Sequence, residues 1–318
     1  MEFQDIIYGE ADGVATITIN RPKTYNAFNA NTCEELIKTF GKAGWNKDIG
    51  VVVLTGAGEK AFCTGGDQSG DGYGGRGTVG LPIEELQSII RDIPKPVIAR
   101  VNGYAIGGGN VLVTICDLAI ASDSAIFGQV GPKVGSVDPG FGTAYLARII
   151  GEKRAREIWY LCRKYSAKEA LEWGLINAAV PPGQLDAETK KWCDEILQMS
   201  PTAIALAKRS FNVDSENIRG IGAFAMQALA LYYETDESKE GGNAFREKRK
   251  PEFRKYAKQA SFNVVWAVVA DAALFQLIGS CPLRLRHRPH GPPVCAAWVP
   301  LDTVQARRHA GDRERWLG

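Results

Sequence analysis

Two glycine turns, each directly behind a short apolar strand, limit what this chain can fold into more than any other feature. The first is Ala61-Phe-Cys-Thr-Gly-Gly-Asp-Gln68, after the apolar run Gly50–Thr55. The second is Asn102-Gly-Tyr-Ala-Ile-Gly-Gly-Gly-Asn110, after Val97–Val101 and at the start of a helical pattern. Without a Cβ, glycine lets the main chain approach a ligand closely with its N–H pointing inward. A helix start adds N–H groups that lack an intrahelical partner, and a partial positive charge. Two such turns brought together would aim two donors at one oxygen. Either turn alone is weak evidence, since Gly-Gly-Gly before a helix reads more often as plain loop. Neither is a phosphate-binding loop, because no Gly-Lys-Ser/Thr follows.

Around these turns strands and helices alternate. Val14–Ile19 has the period of two expected of a strand, and Gly50–Thr55 and Val97–Val101 read as buried strands. Short strands are expected at Leu118–Ala121 and Ala125–Gly128. Ala30–Ala43, Ile83–Arg91 and Gly109–Cys116 read as helices. From Gly140 almost every segment is helical: 141–150, 152–163, 166–172, 185–199, 201–211 and 218–233. This predicts an α/β fold of stacked β-β-α turns closed by a C-terminal helical cap. No repeat of 20–50 residues is evident, although such turns can hide a degenerate one. A composition break falls at Lys258. No lysine occurs after it, while Arg, Pro, His and Trp recur without period. We therefore divide the chain into residues 1–258 (a core over 1–200 and helices over 201–258) and an extension, 259–318, expected to be poorly ordered. An apolar stretch within that extension, Asn263–Leu277, keeps a small docking helix open as an alternative.

Composition excludes several kinds of chemistry. The three histidines, His287, His290 and His309, all lie in the extension, so the first 286 residues have no imidazole base and no Ser-His or Cys-His triad. The seven cysteines form no CxxC pair and their number is odd, which suits reduced thiols in a cytoplasm. Cys63, beside the first turn, is either a nucleophile or a small buried residue, and the absence of a nearby histidine favours burial. No metal site is expected. Lys and Arg total 38 against 36 Asp and Glu, which gives no global argument for nucleic acid or a membrane surface. No apolar stretch reaches the roughly 20 residues that span a bilayer, and the acidic start, Met1-Glu2-Phe3-Gln4-Asp5, does not read as a secretory signal.

The paired turns, with Asn20-Arg-Pro and Asn26-Ala-Phe28 upstream and Cys116-Asp-Leu-Ala-Ile-Ala-Ser122 downstream, resemble the crotonase superfamily of coenzyme A thioester enzymes over residues 1–258. The resemblance implies a spiral of β-β-α turns and oxyanion donors at the Gly66 and Gly108 N–H groups. It implies a coenzyme A channel near Tyr25, Thr64, Gly65, Asp67, Gln68, Tyr104, Ala105, Ile106 and Gly107, with Lys248 close by. It further implies a homotrimer or homohexamer built through residues 201–258, and no tightly bound cofactor beyond the coenzyme A of the substrate. From the residues themselves, Asp67 reads more readily as holding its loop, and Lys248-Arg-Lys250 equally as a solvated helix end.

The simple hydratases of this superfamily use two glutamates, and Val111 and Gly131 stand at the matching positions here. The run Phe127-Gly-Gln-Val-Gly-Pro-Lys-Val-Gly-Ser-Val-Asp-Pro-Gly-Phe-Gly142, with Ala155–Cys162 and Leu231–Gly241, resembles instead the branch of dihydroxynaphthoyl-CoA synthases and ring-opening 2-ketocyclohexanecarboxyl-CoA hydrolases. Arg76, Val130 and Ser136-Val-Asp-Pro139 depart from the synthase pattern, and the runs Arg76–Pro82 and Ser136–Pro139 resemble the hydrolase. The resemblance implies hydrolytic ring opening as the activity, with 1,4-dihydroxy-2-naphthoyl-CoA synthesis or non-catalytic acyl-CoA binding as alternatives. Asp138 becomes the candidate base, with Ser136 orienting the ketone or the water. Asp138 is equally a helix-start residue in Asp-Pro-Gly. Tyr233 matches a tyrosine that reaches a neighbouring subunit's site in the family, and otherwise reads as packing beside Leu229 and Ala230. Gln129 and Trp159 match a bicarbonate pocket of one synthase class, which leaves bicarbonate open here.

Overall fold

The computed structural model describes residues 3–67 and 82–258. Gln68, Arg76 and the extension 259–318 fall outside them. The elements run in order β1 (Ile6–Ala11), β2 (Val14–Ile19), α1 (Ala30–Trp45), β3 (Val51–Gly56), β4 (Ala61–Cys63), α2 (Ile83–Asp92), β5 (Val97–Val101), β6 (Tyr104–Ile106) and α3 (Gly108–Ile115). There follow β7 (Leu118–Ser122), β8 (Ile126–Gly128), α4 (Gly131–Val134), α5 (Leu146–Ile150), α6 (Glu152–Leu161), β9 (Tyr165–Ser166), α7 (Ala167–Glu172) and β10 (Ala178–Val180). Then come α8 (Leu185–Leu197), α9 (Pro201–Val213), α10 (Glu216–Tyr233) and α11 (Asp236–Arg246), and a 3-10 helix over Phe253–Lys258 ends the described chain.

Successive strand pairs are shared between two sheets. The larger has the order β1-β2-β3-β5-β7-β10 and the smaller β4-β6-β8-β9. The pairs β3/β4, β5/β6 and β7/β8 each place one strand in each sheet and then feed a helix. The chain thus climbs as a spiral of β-β-α turns, and the degenerate repeat is real. Apart from the antiparallel β1–β2 and β8–β9, all pairings are parallel. Parallel strands covered on both sides read as continuous apolar runs, as at β3, where every residue is buried. Alternate side chains serve different cores. Val52, Leu54, Ala99 and Val101 join the main core, while Val51, Val53, Ile98 and Ile120 pack with Leu185 and Cys193 of α8.

The sequence-based boundaries hold within two residues for β2, β3, β5, β7, β8 and most helices. The sequence did not show β4 and β6, which lie inside the two glycine turns and are too short to show a period. The helix expected over 141–150 is split. Phe141–Tyr145 forms a π-type turn, in which Tyr145 N–H donates to Gly140 O at 3.2 Å, before α5 begins. Among the described residues, no helix is long and apolar enough to cross a membrane.

Candidate active site

The two turns meet. Gly65 has φ +87°, and a Cβ built there would stand 2.8 Å from the Gly108 nitrogen. Phe28 locks the first turn from outside the spiral: its N–H donates to Gly65 O, and its carbonyl accepts from Asp67 N–H, both at 2.8 Å. The Asp67 carboxylate accepts from Arg21 Nη2 at 2.9 Å. Asp67 therefore holds its loop, as the sequence alone suggested. Gly107 N–H donates to Gly128 O at 2.9 Å, which fixes the second turn against β8. Gly108 opens α3, where N–H groups have no intrahelical carbonyl to bond.

Thr64, Gly65, Gly66, Gly107 and Gly108 form one wall of a cavity of about 170 Å³. Gln87, Gln129, Ser136, Asp138 and Tyr233 supply most of its remaining polar lining, beside Val111, Gly131 and Trp159. The positions where simple hydratases carry glutamates thus face this space without a carboxylate. Among the described lining residues, Asp138 is the sole carboxyl group.

Asp138 is half-buried, and its two oxygens have different partners. Oδ1 accepts from Gly142 N–H at 2.7 Å and Gly140 N–H at 3.4 Å, so it does start the following turn. Oδ2 accepts from Gln87 Nε2 at 2.6 Å. Burial raises the carboxyl above the ordinary carboxylate range, and the three donors oppose that shift only in part. Ser136 Oγ and the Tyr233 hydroxyl are 2.5 Å apart. Within this chain the Tyr233 hydroxyl is thus held at Ser136. The reason is packing, since Gly140 lets α10 approach so closely that a Cβ there would lie 2.8 Å from Gly222 Cα.

Other expected residues are placed differently. Tyr25 and Tyr104 stand edge to face, with ring centroids 6.4 Å apart, and Tyr25 O accepts from the Thr64 hydroxyl, so the pair sits beside the cavity rather than in its lining. Ala105 and Ile106 are buried in β6 and give the turn its anchor. Lys248 is exposed beyond α11 with a left-handed φ of +54° and is not brought to the cavity. Its neighbour Arg249 turns back to Glu240 at 2.6 Å, an ion pair that fastens the chain end to α11. Cys63 is fully buried, and burial pushes its thiol up to about 12, which removes it as a nucleophile. The indole N–H of Trp159 donates to Gly142 O. Gln129 is buried, and its Nε2 has no hydrogen-bond partner among the described residues. Sequence reasoning passed over Gln87. Its signal was legible as the one uncharged polar residue on the face Ile83, Leu86, Gln87, Ile90 of an amphipathic helix.

A family model described as enoyl-CoA hydratase/isomerase matches residues 9–256. The fold is similar to an enoyl-CoA hydratase from Mycobacterium avium subsp. paratuberculosis K-10, at 28% identity and a TM-score of 0.72, over 79% of this chain and 99% of that one. It is similar to an enoyl-CoA hydratase from Bacillus anthracis at 34% identity and a TM-score of 0.62, over 79% and 99%. It also resembles an enoyl-CoA hydratase/isomerase from Pseudoalteromonas atlantica T6c at 27% identity and a TM-score of 0.71, over 79% and 100%. With the paired turns, the two-sheet spiral and this match, the chain belongs to the enoyl-CoA hydratase/isomerase family, the crotonase superfamily of acyl-CoA enzymes.

Proposed function

We propose that this enzyme hydrolytically opens 2-ketocyclohexane-1-carboxyl-CoA to pimeloyl-CoA, a carbon–carbon cleavage suited to anaerobic benzoate and alicyclic acid degradation. The observation that carries this reading is Asp138: among the described lining residues it is the one carboxylate, in a cavity where Val111 and Gly131 stand at the positions that the resemblance matches to the hydratase glutamates. Addition of water across a double bond by a pair of carboxylates finds no second carboxylate among the described lining residues. Ring opening needs one base and an enolate-stabilising site.

Asp138 removes a proton from water, and the oxygen's electron pair forms a bond to the ring ketone carbon. Ser136, held by Tyr233, donates to the ketone oxygen as it becomes an alkoxide. When that alkoxide collapses to a carboxylic acid, which keeps the second proton of the water, the bond to the thioester α-carbon breaks. Its electron pair passes into the thioester, and the resulting enolate oxygen lies against the Gly66 and Gly108 N–H groups. Such donors are worth about 10²–10³ in rate each. The proton on Asp138 then returns to the α-carbon, and the thioester survives.

Incubation with 2-ketocyclohexanecarboxyl-CoA should yield pimeloyl-CoA by mass spectrometry. Closure of the o-succinylbenzoyl-CoA ring in its place would make the enzyme a synthase, and binding without turnover of either would make it a non-catalytic thioester binder. Asp138→Asn should lose about 10²–10⁴ in kcat, and an unaffected rate would remove Asp138 as base. A bicarbonate requirement has partial support: Gln129 Nε2 offers a buried donor, whereas the Trp159 N–H is committed to Gly142. Exposed Leu206, Phe211, Phe224 and Leu231 along α9 and α10 support a homotrimer or homohexamer. A monomeric mass in sedimentation at micromolar concentration would contradict that assembly.

A further inference from the structure

Gln87 is buried to 4% exposure on α2, and among the described residues its one side-chain hydrogen bond is the donation to Asp138 Oδ2 at 2.6 Å. The neighbouring residues on that face, Ile83, Leu86 and Ile90, are apolar and buried. An aliphatic residue at 87 would fit this face without an amide to desolvate. The amide therefore has no packing reason to be there.

A carboxylate has about four lone-pair sites on its two oxygens. At Asp138, two donors meet Oδ1 and one meets Oδ2. One site remains, on Oδ2, in a carboxylate that lines the cavity. We propose that Gln87 is the positioning residue of this site: its amide aims the Asp138 carboxylate so that the substrate-side proton is taken on Oδ2. The same side chain serves the other half of the cycle. Once Oδ2 carries the proton, a half-turn of the amide presents Oε1 as acceptor to the new O–H. Neither protonation state of Asp138 then leaves Oδ2 without a partner. A lysine or a methionine at 87 could satisfy at most one of the two states.

This inference rests on Asp138 as the base, and the experiment separates the two. Gln87→Met and Gln87→Glu are compared with wild type in the pH profile of kcat/KM, with Asp138→Asn alongside. Gln87 donates to the charged form, so its removal favours the protonated form. In Gln87→Met the acid limb should move to higher pH, with about ten- to hundredfold loss below the limb, little change well above it, and an unchanged KM. Gln87→Glu sets a like charge against Asp138 and should also move the limb upward, with two-step titration. If Asp138→Asn is inactive while both Gln87 variants overlay wild type, the positioning role is wrong and the base stands. If Asp138→Asn is fully active, the base and Gln87's role fall together. The carbon-13 shift of the Asp138 carboxyl against pH provides a readout that needs neither turnover nor a particular substrate. An unmoved titration in a folded Gln87→Met or Gln87→Glu protein would overturn the proposal.

Discussion

Replacing Gly108 by alanine should cost two to three orders of magnitude in kcat while leaving the protein folded. The new Cβ would stand 2.6 Å from Phe28 Cζ, 2.8 Å from Phe28 Cε1 and 3.2 Å from Gly65 Cα. Carbon atoms pack at about 3.5–4.0 Å, so either the ring or the start of α3 must move by roughly 1 Å. The ring has little freedom to yield, because Phe28 is 4% exposed and its main chain is bonded on both sides to the first turn. Any retreat of Phe28 drags Gly65–Asp67 with it, so one or other donor is displaced. Loss of one such donor costs about 10²–10³, and a misplacement of about 1 Å alone can cost about 10². The overpacking should cost about 1–3 kcal/mol in stability. Steady-state kinetics on whichever thioester is turned over, with a thermal melt, measures both. Because the donors act on charge that develops in the transition state, kcat should fall while KM changes little. Adding Phe28→Leu removes the obstructing ring atoms, so the double variant should recover part of the lost kcat. A folded Gly108→Ala enzyme with wild-type kcat would refute the placement of a donor at Gly108.

Two further perturbations test the frame rather than the chemistry. Glu240 is held by Arg249, by the Glu252 N–H and by Lys255, and this brings its carboxyl down from the ordinary 4.5 to about 2. A lowered carboxyl contributes stability above the unfolded value and loses it as pH falls. Glu240→Gln should therefore lower Tm at neutral pH and flatten its acid dependence between about pH 4.5 and 2, and parallel melting curves would show that the ion pair is idle. Lys208 is buried, with its ammonium on Asp117 at 2.7 Å and on the carbonyls of Ile90 and Lys95. Lys208→Met should cost about 3 kcal/mol in chemical denaturation with kcat unchanged, and a variant of wild-type stability would show that these bonds carry no net weight.

Much of the frame was legible because local signals agreed with the tertiary demand. Asn29 and Thr32 exchange side-chain to main-chain bonds at the start of α1, where the sequence already placed a helix. Val14–Ile19 alternates because one face of β2 meets the core and the other does not. The Asn26 of the family motif proved structural: its amide ties the carbonyls of Ala57 and Ala61. The site was legible only in part, because its decisive contacts span long separations in the chain. Gln87 and Asp138 are 51 residues apart, and Ser136 and Tyr233 are 97 apart. No periodicity encodes such pairs. They follow from how closely α2 and α10 pack on the turn at 136–142, and from the π-type turn that bends the chain there. Lys248 shows the converse, since a basic cluster carries charge in the sequence without direction, and only its neighbour's bond to Glu240 says where the segment points.

In the proposed reaction the enolate is held by main-chain N–H groups at Gly66 and Gly108, so exchanging the side chains around the cavity leaves those donors in place. Evolution can therefore exchange Asp138, Ser136 or Gln129 for other groups while the enolate-holding geometry survives. Divergence in reaction type becomes a matter of a few cavity positions, and the positions that resist change are those with no side chain at all. A mutational scan of this enzyme should divide accordingly. Substitutions at Gly65 and Gly108 would be intolerant toward every thioester, while those at Val111, Gln129 and Gly131 would select among them.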